Sequence, residues 1–306
     1  MANTDQQQQR CGFVALIGAP NAGKSTLLNH LVGQKISIVT HKVQTTRTIL
    51  RAVAMAGDTQ LVFIDTPGIF TPRKTLERAM VAAAWSGARD ADIVVLIVDA
   101  AATAQSEASL DIAQALSEDP RPKLLVLNKI DLIERPRLLE LAARFGQACD
   151  FRQTFMISAL NGDGVDDLKS WLGREAPLGP WMFPPDHLTD LPERMLAAEI
   201  TREKLYLHLH DELPYAISVE TERWADLRDG SVRIEQVIYV ERDSQKSIVL
   251  GKGGRQIKQI SMEARTDLAA MLERKVHLFL FVKVRPKWSE DPARYREIGL
   301  EFEPHK

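Results

Sequence analysis

From Gly12 to about Glu175 the chain alternates β-type apolar runs with amphipathic stretches, and that alternation restricts its fold more than any other feature. The runs are 12–18, 48–56, 60–65, 92–99, 123–128 and 152–157; helix-like stretches near 24–32, 76–88, 105–117, 137–148 and 163–174 lie between most of them. Strands buried on both faces read as continuous apolar runs. The order therefore predicts βαβ units in an α/β fold, a doubly wound, mainly parallel sheet. One pair of runs lacks an intervening helix, and Gly57-Asp58 between them predicts an antiparallel hairpin.

The pattern changes after Ala176. Pro177, Pro180, Pro184 and Pro185, with Pro192 at the far end, mark 177–191 as a stiff, proline-rich linker. Beyond it a helix over 192–209, strands at 215–224 and 231–241, a helix ending near 272 and a strand at 276–284 predict a smaller α+β domain. A chain of 306 residues suits two domains at about 150 residues each. The expected organisation is a disordered tail over 1–10, one domain over 11–176, the linker, and a second domain with a C-terminal extension over 192–306.

The longest strongly apolar run, Ile93 to Val98, stops at Asp99, far short of the ~20 residues a membrane span needs. The start, MANTDQQQQR, lacks the basic flank and apolar core of a signal peptide. Cys11 and Cys149 form neither a CxxC pair nor a zinc set and read as buried thiols, in keeping with a reducing cytoplasm. Net charge is −2, yet residues 242–287 hold 11 Lys+Arg against 4 Asp+Glu, while 177–241 and 288–306 together hold 9 against 18. A basic island in acidic surroundings implies one confined anionic ligand.

Gly18-Ala19-Pro20-Asn21-Ala22-Gly23-Lys24-Ser25, followed by Thr26, matches GxxxxGK[ST] between a predicted strand and helix. Such a turn points backbone N–H groups at phosphate oxygens, aided by the positive end of the following helix. Lys24 is expected to reach the β- and γ-phosphates, and Ser25 to offer a hydroxyl to Mg²⁺. Asp65-Thr66-Pro67-Gly68 comes 40 residues after Ser25, at a strand end. There Asp65 can hold Mg²⁺ through water and the Gly68 N–H can meet the γ-phosphate. Asn128-Lys129-Ile130-Asp131 follows the fifth run and selects the base: a carboxylate accepts the paired N1–H and N2–H₂ donors of guanine, which adenine lacks. Asn128 would tie this loop to the phosphate turn, and the Lys129 stem would cover the base. After the sixth run, Ser158-Ala159 places the Ala159 N–H where guanine O6 could meet it.

In the second domain Gly251-Lys252-Gly253-Gly254 forms a GxxG turn before the helical stretch starting near Arg255. Glycine ends let a sugar-phosphate backbone approach closely. Lys252, Arg255 and Lys258 are candidates for phosphates; Ile248, Val249, Ile257 and Ile260 are candidates for an apolar face against splayed bases. Aromatics are only 6% of the chain, so base recognition is expected through hydrogen bonds and aliphatic contact. Trp288 and Tyr295, near Arg294 and Arg296, are open to two readings, an extended RNA surface or core packing. His208 and His210 read as surface or packing residues rather than a metal pair.

GAPNAGKS, the QTTRT stretch from Gln44 to Thr48, DTPGI and NKID together resemble the Era family within the TrmE-Era-EngA-like superfamily of P-loop GTPases. The order α-β-β-α-α-β with IVLGKGGRQIKQI, EAR at 263–265 and VHLFLFVKVRPKW at 276–288 resembles a type II KH domain. The resemblance spans nearly the whole chain. It implies a Mg²⁺-dependent GTPase, with 34–48 as the first switch and Thr46, before Thr45, as the threonine completing Mg²⁺ coordination in the GTP state. It implies a potassium ion beside the phosphates at Asn21, where a simple turn-forming role is the alternative. Catalysis would then rest on Asn21, Lys24, Thr46 and Gly68. Ras-like enzymes place a water-orienting glutamine after DxxG; Ile69 stands there and cannot hydrogen-bond water, so hydrolysis must draw on other groups. The family further implies binding near the 3′ end of 16S ribosomal RNA, processing of that RNA, biogenesis of the 30S subunit, a monomer, and a cytoplasmic protein with peripheral inner-membrane association. Two rivals differ in sequence: tRNA-modification relatives carry a C-terminal cysteine, whereas no cysteine follows Cys149, and duplicated-domain factors carry two phosphate turns. A cell-cycle regulatory GTPase acting through protein partners is the alternative of another class.

Overall fold

The computed structural model describes residues 9–301 except 41, 43, 44, 73, 211, 212, 287, 289, 290, 293, 294 and 296–299. Residues 1–8 of the expected tail over 1–10, together with Gln44, Arg294 and Arg296, lie outside the described residues. The chain divides into two compact units. The described residues of one fall within 9–37, 46–190 and 300–301; those of the other fall within 38–45 and 191–298.

The first unit is an α/β domain with a six-stranded sheet of order β2-β3-β1-β4-β5-β6. Its strands are β1 (Arg10–Ile17), β2 (Leu50–Ala56), β3 (Thr59–Asp65), β4 (Ile93–Asp99), β5 (Lys123–Asn128) and β6 (Gln153–Ile157). All neighbours are parallel except β2 and β3, which are joined antiparallel through Gly57 at φ +59°. Strands β3, β4 and β5 are buried at every position, which explains their unbroken apolar runs. Helices α1 (Lys24–Val32), α2 (Thr75–Arg89), α3 (Thr103–Ala115), α4 (Arg135–Ala148) and α5 (Val165–Glu175) alternate with these strands. Strand order reverses direction around β1, so the loops after β1, β3 and β5 open at the carboxyl edge where such sheets bind ligands. Cys11 and Cys149 are buried free thiols.

Residues 177–190 of the stiff, proline-rich stretch expected over 177–191 belong to the first unit. They are stitched to the first unit by Cys11 N–H to Pro177 O (3.2 Å), Gly179 N–H to Gln9 O (3.0 Å) and Val53 N–H to Leu188 O (2.9 Å). The fully buried Gln60 anchors the middle: its amide donates to Phe183 O (2.8 Å) and accepts from Met182 N–H (2.9 Å) and Phe183 N–H (3.0 Å). Prolines lack a donor but keep their carbonyls, so this strap satisfies strand groups without becoming a strand. Strand β1 begins one residue before the expected domain boundary, at Arg10, whose side chain donates to Ala176 O at 2.6 Å.

In the second unit a three-stranded sheet, order β7-β8-β9, packs against helices in the sequence α6 (Glu193–His208), β7 (Ser218–Asp226), β8 (Val232–Val240), α7 (Asp243–Leu250), α8 (Arg255–Met271), β9 (Val276–Val284). Strands β7 and β8 are antiparallel, β8 and β9 parallel. The core joins Leu205, Ile217, Ile238, Val249 and Ile260. From α6 to α8, the ion pair Lys204–Asp267 (2.6 Å) and the hydrogen bond between His208 Nε2 and Glu263 Oε2 (2.7 Å) fasten the helix layer; His210 is exposed. Of the two readings of the C-terminal aromatics, the structure shows packing. Trp288 and Tyr295 are buried, with Trp288 Nε1–H donating to Ala216 O at 3.1 Å. No helix among the described residues is long and apolar enough to cross a membrane.

Candidate nucleotide site and nucleic-acid interface

The phosphate turn links β1 to α1. Helix α1 starts at Lys24 after Gly23 in a left-handed conformation, with no side chain capping its first N–H groups and no acidic residue in its first turn. Those donors are left for an external anion. Gly23 is obligatory: at φ +98°, a Cβ there would stand 2.1 Å from Asn128 Nδ2. Asn21 also takes a left-handed conformation, φ +62°. Ala19 and Ala22 are buried, while Pro20 and Thr26 are half-buried.

Lys24 is buried and donates to the carbonyls of Gly18 and Ala19, both at 3.1 Å. Burial lowers its pKa to about 8, partly offset by the Asp65 charge. Asp65 is fully buried, and burial pushes its carboxyl up against the opposing pull of Lys24, Ser25, Ser37 and the Thr66 N–H. Asp65 Oδ2 accepts from Ser25 Oγ (2.9 Å) and Ser37 Oγ (3.1 Å). Ser25 Oγ also lies 2.9 Å from Thr46 Oγ1. The Thr45 hydroxyl is engaged elsewhere, at Thr40 Oγ1 (2.7 Å) and Lys42 O (2.8 Å). Asp65 Oδ1 is buried with no hydrogen-bond partner among the described residues. Hard oxygens from Ser25, Thr46 and Asp65 at one spot, one of them orphaned, fit a small divalent cation of the Mg²⁺ type. Ser37 was not anticipated; a serine within a polar loop carries no local signal of its carboxylate partner.

After β3, Thr66 Oγ1 donates to Leu16 O (2.8 Å), Pro67 is buried, and Ile69 N–H donates to Gly18 O (3.0 Å). Gly68 lies so close to Pro20 that a Cβ would meet it at 2.9 Å, which sets the Gly68 backbone against the phosphate turn. The Ile69 side chain sits in the core.

Asn128 holds the base-reading loop in place, donating to Ala22 O (2.8 Å). Its Oδ1 accepts the Ala159 N–H at 2.9 Å, so this N–H, expected at guanine O6, has a partner in the loop itself. Ser158 is buried, its Oγ accepting from Asn161 N–H at 3.3 Å. Lys129, at φ +66°, pairs with Asp99 at 2.5 Å, a partner not foreseen. Ile130 and Asp131 occupy one short 3₁₀ turn, and Asp131 is exposed.

In the second unit α7 ends at Leu250 and α8 begins at Arg255, joined by Gly251–Gly254. Gly253 and Gly254 have φ of +63° and +74°, and a Cβ on either would have nothing within 4 Å, whereas a Cβ on Gly251 would stand 2.7 Å from Gln256 Cβ. Lys252, Arg255, Lys258 and Ile248 are exposed beside this open turn. Val249 and Ile260 are not available to bases. Both are fully buried, because on helices α7 and α8 they are the residues turned to the sheet. Ile257 packs half-buried against the same core.

Comparison with known proteins agrees with this geometry. Residues 13–129 match a family model described as 50S ribosome-binding GTPase, and residues 212–289 match one described as KH domain. The chain is 59% identical to GTPase Era of Rhizobium meliloti (strain 1021) over 293 residues, 96% of this chain and 93% of that protein. A crystal structure of Era in complex with MgGDPNP and nucleotides 1506–1542 of 16S ribosomal RNA gives a TM-score of 0.89 at 36% identity, covering 95% of this chain and 99% of that one. A single-substitution variant of Aquifex aeolicus Era bound to GDP.AlF4⁻ gives 0.87 at 35% identity, with the same coverage. Similarity of this extent, running unbroken through both units, establishes that the chain belongs to the GTPase Era family.

Proposed function

We propose that this GTPase binds 16S ribosomal RNA near its 3′ end through the Gly251–Gly254 turn and acts in 16S processing and 30S subunit biogenesis. One observation carries the reading: a structural neighbour matching 95% of this chain holds MgGDPNP and 16S nucleotides 1506–1542 together. The exposed Lys252, Arg255 and Lys258 beside an open glycine turn supply the matching chemistry here. Crosslinking in cells, followed by sequencing of the bound RNA, tests it. Crosslinks at 248–258 to the 3′ region of 16S RNA are expected; crosslinks spread evenly over cellular RNA, or none, would point to the protein-partner alternative. The reading includes a monomer in the cytoplasm with peripheral association at the inner membrane.

In the nucleotide site Ser25, Thr46 and Asp65 would hold Mg²⁺, which supplies charge neutralisation at the β- and γ-phosphates. Lys24 and the uncapped N–H groups of α1 bind phosphate oxygens, Gly68 offers its N–H, and Asp131 reads the base. A potassium ion held at Asn21 completes the site, since Ile69 cannot orient water. Hydrolysis is then expected to run several-fold faster in K⁺ than in Na⁺ at equal ionic strength, and Asn21→Ala to abolish that difference with GDP affinity little changed. Equal rates in both salts would remove potassium from the mechanism.

A pH dependence follows from Lys24. Its pKa of about 8 without ligand leaves it partly neutral just above that pH, whereas bound phosphates favour the ammonium. Nucleotide binding should therefore take up protons around pH 8–9, and affinity should fall as pH rises through 8. Calorimetry in buffers of different ionisation enthalpy measures the uptake directly. Proton release on binding would contradict the assignment.

A further inference from the structure

Strand β4 is buried at every position and carries a single charged residue, Asp99, at its carboxyl end. A carboxylate that is 7% exposed needs partners for its hydrogen bonds, and each of its oxygens has one. Oδ1 accepts the Ala101 N–H at 3.0 Å, closing the turn that leads into α3. Oδ2 pairs with Lys129 Nζ at 2.5 Å, the one partner of that ammonium among the described residues. Parallel pairing of β4 with β5 sets Asp99 beside Asn128, and Ala100 N–H donates to Asn128 O at 2.9 Å. The next residue, Lys129, has a backbone φ of +66°, a left-handed conformation that residues with a Cβ adopt reluctantly. Its side chain is half-buried and drawn back to β4.

The 128–131 turn itself is held by other bonds. Asn128 donates to Ala22 O at 2.8 Å and accepts the Ala159 N–H at 2.9 Å, while Leu132 N–H closes on Lys129 O at 3.0 Å. What Asp99 fixes is the direction of one long side chain. A lysine stem left free samples many rotamers, and that freedom is lost when the stem packs on a flat ring. With its ammonium seated on Asp99 the stem is ordered before a base arrives. We infer that Asp99 is a positioning residue for guanine nucleotide binding, acting through Lys129, whose anchored stem covers one face of the base while Asp131 reads its edge. The inference rests on the base lying against the 128–131 turn. It divides recognition in two: the cover is indifferent to the groups on the base edge, whereas Asp131 counts them. Asp99 therefore contributes affinity and residence time, not selectivity.

The test uses the full-length protein and follows release of a fluorescent GDP after a chase with unlabelled GDP. Asp99→Asn keeps an oxygen for the Ala101 N–H and turns an NH₂ group toward Lys129. Release is expected to quicken about tenfold, the scale of one lost charge-assisted hydrogen bond, and the KM for GTP to rise by a like factor while kcat stays within about twofold. Inosine triphosphate, which lacks only the N2 amino group, separates positioning from scaffolding. The ratio of GTP to inosine triphosphate affinity should keep its wild-type value, because Asp131 still meets the base edge. A turn deformed by the loss of Asp99 would misplace Asp131 and draw that ratio toward one. That result would overturn the inference, as would wild-type release from Asp99→Asn. Lys129→Met keeps an unbranched apolar stem without the ammonium and leaves β4 untouched, so it stays decisive if Asp99→Asn fails to fold. It should match Asp99→Asn in release rate, and the two combined should be no worse than either, because both break one pair. Wild-type release from Lys129→Met, or strict additivity of the two, would equally overturn the inference. Asp131→Asn, measured alongside, separates the two ways of failing. Wild-type GTP affinity there removes the base site and the inference with it; a weakened Asp131→Asn beside an unaffected Asp99→Asn removes only the anchor.

Discussion

Asp131→Asn is expected to cut GTP affinity by about 10²-fold or more and to make xanthosine triphosphate the preferred nucleotide. The reason is donor counting. Guanine presents N1–H and N2–H₂ to the two carboxylate oxygens of Asp131, and an amide keeps only one acceptor. The other atom becomes an NH₂ group facing the N2–H₂ of guanine, which leaves buried donors unpaired; sites built on such bonds discriminate by orders of magnitude. Xanthine replaces N2–H₂ with a carbonyl, which accepts that NH₂. The fold should be indifferent to the change, since Asp131 is exposed on its 3₁₀ turn and the loop is held by Asn128 at Ala22 O. Competition binding with both triphosphates, beside a melting curve, checks it. An Asp131→Asn protein with wild-type GTP affinity would refute the base-reading role.

Gly254→Asp should abolish RNA binding and leave RNA-independent GTP hydrolysis intact. The structure makes this substitution cleaner than its neighbours. Nothing lies within 4 Å of a Cβ at Gly254, whereas at Gly251 a Cβ would press on Gln256 at 2.7 Å. The fold cost is therefore the left-handed φ of +74° alone, about 1 kcal/mol. Aspartate tolerates that conformation better than most residues and stands at the N-cap of α8, where a carboxylate is welcome. What it blocks is external: a side chain and a negative charge where a phosphate must approach. Lys252→Ala is the graded companion and should reduce the salt slope of single-stranded RNA binding by about 0.7. Full RNA affinity in Gly254→Asp would reduce the turn to a connection between α7 and α8.

Much of this was legible in one dimension. Buried parallel strands leave continuous apolar runs, so β3, β4 and β5 fall almost where those runs predict. The phosphate turn and NKID are local motifs whose partners are set by the fold class. What escaped depends on contacts distant in sequence. Val249 follows the exposed Ile248 with no local mark to separate core from surface, and only the placement of α7 against the sheet makes it core. Prolines at 177–185 announce an irregular path but not that a buried glutamine at 60 will hold it. Arg202 and Glu203 sit in a helix of ordinary amphipathic pattern. Their burial arises from a segment some 160 residues earlier, which no periodicity reveals.

The proline strap has a consequence for the life of the chain before it is complete. Strand β2 is one of the two outer strands of its sheet, and an uncovered outer strand is a template for pairing with other molecules. Thr189 bridges antiparallel to Ala52, and Thr189 Oγ1 donates to Arg51 O at 2.8 Å, so this edge is shielded by the last residues of the first unit. During synthesis β2 emerges well over a hundred residues before its cover does. A nascent or truncated chain ending at 176 would carry every strand of the sheet and still display β2 as a naked border prone to aggregation, whereas one ending at 190 would have that border covered. The isolated first unit is therefore expected to lose solubility when these fourteen residues are removed, although they contribute no strand to it.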